Sequence, residues 1–198
     1  MDELEREKTT EKGTDGVKKS PPALRVAKEC AYLAVFVATL IAVQLALSFL
    51  PGVELVTVLF VAYAFVFGVR RGMMAATAFS LLRMLLFGFH PNVLFLYLVY
   101  YNGLTALFGG IGRWVKRGKE GKSLWWILLV ACLCTAAFSM LDNVITPLWY
   151  GFTARAAKAY FFASFSVMLP QLVCTAVSVG VLFFPLQKIF RMAKRGLH

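Results

Sequence analysis

The stretch SFLPGVELVTVLFVAYAFVFGVRRG, residues 48–72, decides how this chain folds. It opens with a Pro51-Gly52 break and a single carboxylate, Glu54, and then runs through almost uninterrupted apolar residues to Arg70 and Arg71. Pro-Gly permits a sharp reversal of the chain, and arginines anchor the end of a membrane helix at the polar interface. The stretch therefore predicts a short membrane helix that follows a tight turn and ends at a basic anchor.

The composition of the whole chain indicates the same environment. Hydrophobic residues make up 60% of its 198 positions, and 18 of them are phenylalanine, whereas a soluble domain carries roughly 45–50% apolar residues. Several apolar runs reach the ~18 residues typical of a membrane span. We therefore predict an integral membrane protein with one domain and no soluble catalytic module. The four cysteines are interpreted as small buried hydrophobes rather than as metal ligands or disulfides.

Six apolar segments follow from the same pattern. They cover about residues 26–50, 53–69, 72–87, 93–111, 124–145 and 159–186. Only helices and closed barrels satisfy every backbone group in lipid, so we predict an all-α membrane protein with six transmembrane helices. The membrane domain covers residues 23–192, between a disordered tail (1–22) and a short tail (193–198). The second and third segments are short, so they must stand nearly upright or be shielded by neighbouring helices.

The distribution of lysine and arginine predicts the orientation. Of the 21 basic residues, 18 lie in the N-terminal segment, the turn between segments 2 and 3, the loop between segments 4 and 5, and the C-terminus. Cytoplasmic loops are enriched in these residues, so both termini are predicted to be cytoplasmic. The net charge of +11 reflects this topology and attraction to an anionic inner leaflet, not a nucleic-acid surface.

With this orientation, polar residues gather in the outer half of the membrane domain. They are Gln44, Glu54, Arg83, Asn102, Asp142, Asn143 and Gln171. Ionisable residues within a membrane face the protein interior or a wet cavity and usually mark a substrate path. We predict one outward-facing polar pocket, which Tyr97 and Trp149 could help to line. The alternatives are an ion pair of Arg83 with Asp142 or Glu54 that fixes helix packing, and an interfacial belt for the aromatic residues.

The first segment carries alanine at every fourth position. Ala34, Ala38 and Ala42 follow this spacing, and Ala31 lies close to them on the predicted helix. A four-residue spacing places small residues on one face and lets another helix approach closely. The partner helix could belong to another protein or to the same bundle.

The sequence contains no catalytic motif, so we predict that the protein is not an enzyme and uses neither a cofactor nor a metal ion. GKS at 121–123 lacks the upstream glycine of a phosphate-binding loop, because Lys116 takes that position. GGIG at 109–112 follows a membrane helix and is interpreted as its end. A polar pocket without an energy source needs a partner if it is to concentrate a solute.

Several segments occur in a distinctive order. LSFLPGVELVT and FVFGVRRG follow an alanine-rich helix, then LLFGFHPN, YNGLTALFGGIGR and, near the end, VLFFPLQKIF. In this order, in length and in six-span topology, residues 26–192 resemble the substrate-binding S component of an energy-coupling factor (ECF) vitamin transporter.

The resemblance implies a partner complex. Such proteins lie in the cytoplasmic membrane of bacteria or archaea and bind a micronutrient from outside. They dock onto a transmembrane T subunit with two cytoplasmic ATPase subunits, and they are thought to topple in the membrane to release the cargo. The resemblance assigns docking to Ala34 and Ala38, flanked by Ala31 and Ala42, and cargo binding to the outer half.

The cargo stays open among riboflavin, cobalamin-like compounds, queuosine precursors and others, because the patterns of thiamine and biotin members are absent. The alternative function is a structural or assembly membrane protein whose polar residues only hold helices together. A channel would require a continuous polar stripe through the inner half of the membrane domain. The inner halves of segments 2, 4 and 6 contain few polar residues that could form one.

Overall fold

The structure is a computed structural model that describes residues 22–50, 55–115 and 120–196. These residues form six α-helices and no strand: α1 Pro22–Leu47, α2 Val56–Phe67, α3 Val69–Phe87, α4 Pro91–Trp114, α5 Glu120–Trp149 and α6 Ala154–Gly196. The predicted all-helical class is confirmed. Four of the helices, α1, α4, α5 and α6, contain segments long and apolar enough to cross a membrane. The predicted N-terminal tail lies outside the described residues, apart from Pro22 at the start of α1.

The short helix α2 lies at the centre of the bundle. All residues from Val56 to Val66 are buried, and α2 packs against α4, α6 and, less extensively, α3. Twelve residues make a helix of about 18 Å, well short of the ~30 Å hydrocarbon core of a bilayer. Helix α2 is therefore shielded by its neighbours, as its length required. A helix that is apolar all round is typical of such a buried position.

Helices α2 and α3 meet at a single residue, Gly68. Its φ of +87° is a conformation that glycine adopts without the steric cost of a side chain. The helix break thus falls at Gly68 and not at the arginine pair, so that Arg70 and Arg71 lie in the first turn of α3.

The glycines of α4 allow that helix to lie directly against this junction. A Cβ on Gly109 would come within 2.5 Å of the Val69 nitrogen, and a Cβ on Gly112 within 3.0 Å of the Phe65 Cα. The GGIG segment is therefore a close-packing surface, and α4 continues beyond it to Trp114.

Contacts between the helices define two ends of the bundle. At the first, which we call the basic end, Arg71 of α3 pairs with Glu29 of α1, and the Lys194 ammonium of α6 donates to the Val66 carbonyl of α2. The opposite end gathers the C-terminal part of α1 and the first residues of α2, and we call it the pocket end. Helix α6 remains helical to Gly196 at the basic end, over most of the segment predicted as a tail.

Helix α1 lies at the edge of the bundle, mainly against α3. One side of it, which includes Phe36, Val37 and Leu40, is buried. The predicted alanine face points the other way. Its members are all exposed: Ala31, Ala34, Ala38 and Ala42. In the described part of the chain, these alanines are therefore accessible and are not part of the buried core.

Candidate functional site

A cavity of about 360 Å³ opens at the pocket end, and we call it the Arg83 cavity. Four of the predicted pocket residues line it, each from a different helix: Gln44 from α1, Arg83 from α3, Tyr97 from α4 and Gln171 from α6. The rest of the lining is mostly apolar: Leu47, Ser48, Leu50, Leu55, Val56, Phe87, Phe138 and Val167. Residues separated by more than a hundred positions in the chain thus meet at one place.

The helices place these groups by simple geometry. Helices that are consecutive in the chain run in opposite directions, so the end of α1, the end of α3 and the start of α4 reach the same level. Arg83 and Phe87 are four residues apart on α3, which puts them on one face of that helix. Both line the cavity.

Arg83 is held between two aromatic rings. Its guanidinium carbon lies 4.1 Å from the centre of the Tyr97 ring and 5.1 Å from that of Phe87. Cations at these distances are attracted by the ring face, by about 0.5–2 kcal/mol depending on solvent. The rings therefore orient the side chain and offset part of the cost of burying its charge.

The charge of Arg83 has no negative partner among the residues that the structure describes. The ion pair found there joins Arg71 and Glu29 at the other end of the bundle. In addition, the Arg83 Nε is buried and donates to no described group. The alternative pairing of Arg83 with Asp142 does not form. Glu54, a predicted pocket residue and the other partner in that alternative, lies outside the described residues.

Gln44, on the wall of the Arg83 cavity, also has a buried side-chain atom without a described hydrogen-bond partner. Its side-chain nitrogen lies 3.5 Å from the Tyr97 hydroxyl, which is long for a hydrogen bond. Its buried oxygen has no donor in the described part of the chain. Buried polar groups are nearly always hydrogen-bonded to protein or to ordered water, and exceptions call for an explanation. Two such groups, on Gln44 and Arg83, line one cavity.

A second cavity of about 400 Å³ adjoins the first, and we call it the Asp142 cavity. The two share Phe138, Val167 and Gln171 as a common wall. The remaining lining residues of the second are Ser139, Asp142, Tyr160, Ala163, Ser164 and Met168. The two neighbouring spaces therefore carry opposite charges.

Hydroxyl groups of two helices fix the carboxylate of Asp142. The Thr146 hydroxyl donates to one of its oxygens at 2.7 Å, and the Tyr160 hydroxyl of α6 donates to the other at 2.6 Å. The second bond ties α5 to α6. Asp142 thus has a packing role in addition to its place on the cavity wall.

The other predicted pocket residues that the structure describes lie outside both linings. Asn102 donates to the Leu98 carbonyl at 2.8 Å and lies 3.4 Å from the Thr77 hydroxyl, so it links α4 to α3. Asn143 is half-buried, and its side-chain oxygen has no described donor. Trp149 ends α5 with 57% of its surface exposed, as expected of an interfacial aromatic residue.

Sequence reasoning missed several residues of the two linings. Phe87 and Phe138 are apolar, and in a chain with 18 phenylalanines nothing in the sequence distinguishes them. Ser164 and Tyr160 carry a usable signal, because they lie four residues apart on α6 and therefore share one helix face.

The described residues form an all-helical bundle with four helices long and apolar enough to cross a membrane, as in a membrane-embedded protein. The bundle contains two adjoining cavities, one lined by Arg83 and the other by Asp142. No family model, no curated protein and no solved structure matches the chain. The described residues contain no group of three or more histidine, cysteine, aspartate or glutamate side chains that could hold a metal ion.

Proposed function

We propose that this protein is the S component of an ECF-type importer. In this proposal it binds a vitamin or related micronutrient from outside and delivers it through a T subunit and two ATPase subunits. The observation that carries the proposal is the Arg83 cavity, where four polar or aromatic pocket residues from four helices converge on one space. Ligand sites combine apolar walls with a few converging polar groups in this way.

The proposed orientation follows from the distribution of charge. The basic end contains Arg71 and Lys194, and cytoplasmic ends of membrane proteins carry such residues. The pocket end then faces outward, where a cargo would arrive. Six spans are part of the proposal: α2 and α3 would cross together, with α2 enclosed by its neighbours.

The alanine face of α1 supports docking to a partner. All four of its alanines are exposed, and small residues allow another helix to approach closely. Its position at the edge of the bundle leaves room for a second protein without disturbing the cavity.

The first experiment asks whether the protein carries a cargo. Detergent-purified protein is denatured, and the small molecules released from it are identified by mass spectrometry. The proposal expects one micronutrient-sized compound that rebinds on titration. A protein that neither retains nor rebinds any small molecule would contradict the proposal.

The second experiment separates docking from binding. Ala38→Trp should abolish cellular uptake of the identified compound and leave its affinity for the purified protein unchanged, because the indole blocks close helix approach. Ala137→Trp is the matched control, since Ala137 is an exposed alanine on α5. Equal uptake by the two variants would refute docking through the alanine face.

A structural or assembly role is the second candidate, and specific contacts favour it. Polar side chains do join helices: Thr135 of α5 and Thr175 of α6 lie 3.2 Å apart, and Asn102 links α4 to α3. Arg83→Met distinguishes the two roles through the unfolding temperature of the empty protein. A structural arginine should lower this temperature when removed, whereas a ligand-binding arginine leaves it unchanged or raised, since buried charges are costly in a membrane.

A further inference from the structure

We propose that the Arg83 cavity binds the anionic oxygen group of a small organic molecule, a carboxylate or a phosphate. This inference rests on the proposed function and names the chemical class of its cargo. It starts from the charge of the cavity, whose described lining contains one arginine and no carboxylate. An ionisable residue within a membrane domain that lines a cavity is by default a candidate functional residue, and the positive charge of Arg83 selects an anionic group.

The geometry of Arg83 suits an anion. Its guanidinium carbon lies over the Tyr97 ring at 4.1 Å. Stacking occupies the flat faces of a guanidinium, and its N–H donors point outward in the plane, where carboxylates and phosphates bind through two parallel hydrogen bonds. The Nε is itself buried and has no described acceptor, so the two terminal nitrogens of Arg83, which lines the cavity, are the donors that a ligand would contact. The contacts with Tyr97 and Phe87 therefore restrict the position of the guanidinium before any ligand arrives.

The two cavities would sort charges. Asp142 gives the second cavity a negative charge, and both of its oxygens already accept hydrogen bonds from Thr146 and Tyr160. An anionic group is repelled from that side and attracted to Arg83. The shared wall of Phe138, Val167 and Gln171 would face the uncharged body of the same molecule.

The size of the space limits the ligand. A volume of about 360 Å³ lies at the lower end of the roughly 300–1,000 Å³ found for small-molecule sites. The inference therefore concerns compounds of one or two rings, or of similar bulk, and not a lipid or a peptide.

The test compares matched probes on the full-length protein in detergent. Benzoate, nicotinate and phenyl phosphate are titrated against benzamide, nicotinamide and phenol, and binding is followed by calorimetry and thermal shift. We expect the anions to bind at least ten-fold more tightly than their neutral partners. A stronger response to phenyl phosphate than to the acids would assign a phosphate group, and the reverse a carboxylate.

Three variants locate the effect. Arg83→Met should weaken anion binding about ten- to a hundred-fold, the loss expected for a charge-assisted hydrogen bond. Arg83→Lys keeps the charge, so it should retain part of the preference, and it also serves if the methionine variant does not fold. Arg155→Met is the matched control: this exposed arginine lies in the first turn of α6, outside both linings, and its loss should leave anion affinity unchanged.

Each remaining outcome is decisive. If neutral partners bind wild-type protein as tightly as the anions, or if Arg83→Met binds anions normally, the anionic class is refuted. In that case the neutral probes are titrated against Gln171→Ala. If this substitution lowers their affinity, the cavity still binds small molecules and the proposed cargo-binding function stands. If none of the six probes binds and no compound is retained on purification, both the anionic class and the proposed function fail.

Discussion

The close approach of α4 to the α2–α3 junction makes a sharp prediction about two neighbouring glycines. Alanine at position 112 would place its Cβ 3.0 Å from both the Cα and the carbonyl carbon of Phe65, and closer still to the carbonyl oxygen. Alanine at position 110 would meet no atom within 4 Å. The two substitutions add the same methyl group to the same helix, two residues apart.

The two substitutions should change the free energy of unfolding in opposite directions. Carbon atoms pack comfortably at about 3.5–4.0 Å, so Gly112→Ala must push α4 from α2 by roughly 0.5–1 Å. Overpacking of this kind typically costs about 1–3 kcal/mol. Replacing glycine by alanine within a helix stabilises the helix by about 1 kcal/mol. If the overpacking cost lies in the upper part of its range, the net effect of Gly112→Ala is a loss of about 1–2 kcal/mol of stability. Gly110→Ala keeps the helix gain alone and should be more stable by up to about 1 kcal/mol.

The assay is the unfolding temperature of both variants in the same detergent. A change of 1 kcal/mol shifts the midpoint by roughly 2–4 °C in chains of 150–250 residues, so the two alanines should differ by several degrees, with wild type between them. Equal midpoints for Gly112→Ala and Gly110→Ala would refute the close approach of α4 to Phe65.

Two further predictions concern the basic end and the source of energy. Lys194→Met should destabilise the protein by about 1.5–3 kcal/mol, because the Val66 carbonyl loses its hydrogen bond from a charged donor. The control Lys188→Met alters an exposed lysine of the same helix and should leave the unfolding temperature unchanged. Equal effects of the two substitutions would contradict the contact between Lys194 and Val66. Purified protein alone should neither hydrolyse ATP nor accumulate solute in liposomes, because the sequence lacks a phosphate-binding loop; ATPase activity that follows this chain through every purification step would overturn the need for partner ATPases.

The order and type of the helices could be predicted from the sequence, but their rotation could not. The stretch from Val56 to Val66 is apolar on every side, so its pattern is equally compatible with lipid and with a protein interior. Its length, and not its periodicity, indicates that it must stand nearly upright or be shielded by neighbours, and the structure shows the shielding. The break at Gly68 was misplaced toward Arg70 and Arg71, because charge marks a helix end in sequence whereas the positive φ of one glycine makes the break.

The same missing rotation limited the prediction of the site. Gln44, Arg83, Tyr97 and Gln171 were grouped by depth alone, and the structure brings all four to one cavity. Asn102 lies five residues after Tyr97 on α4, which turns it about 140° around a helix of 3.6 residues per turn. It therefore points to Thr77 of α3 instead of the cavity. Depth follows from counting residues, but the direction of a side chain depends on packing that an apolar sequence does not encode.

The central position of α2 has a consequence for how the chain is made. Helix α2 leaves the ribosome before α4 and α6, the two helices that enclose it most extensively. During synthesis it must wait in contact with lipid or the insertion machinery, at a length of 12 residues that no bilayer matches well. Its burial is complete only after α6, the last helix, has packed against it, so the core forms late in synthesis. A chain that stops before α6 leaves the side of α2 that faces α6 uncovered, although α4 and α3 still pack against it.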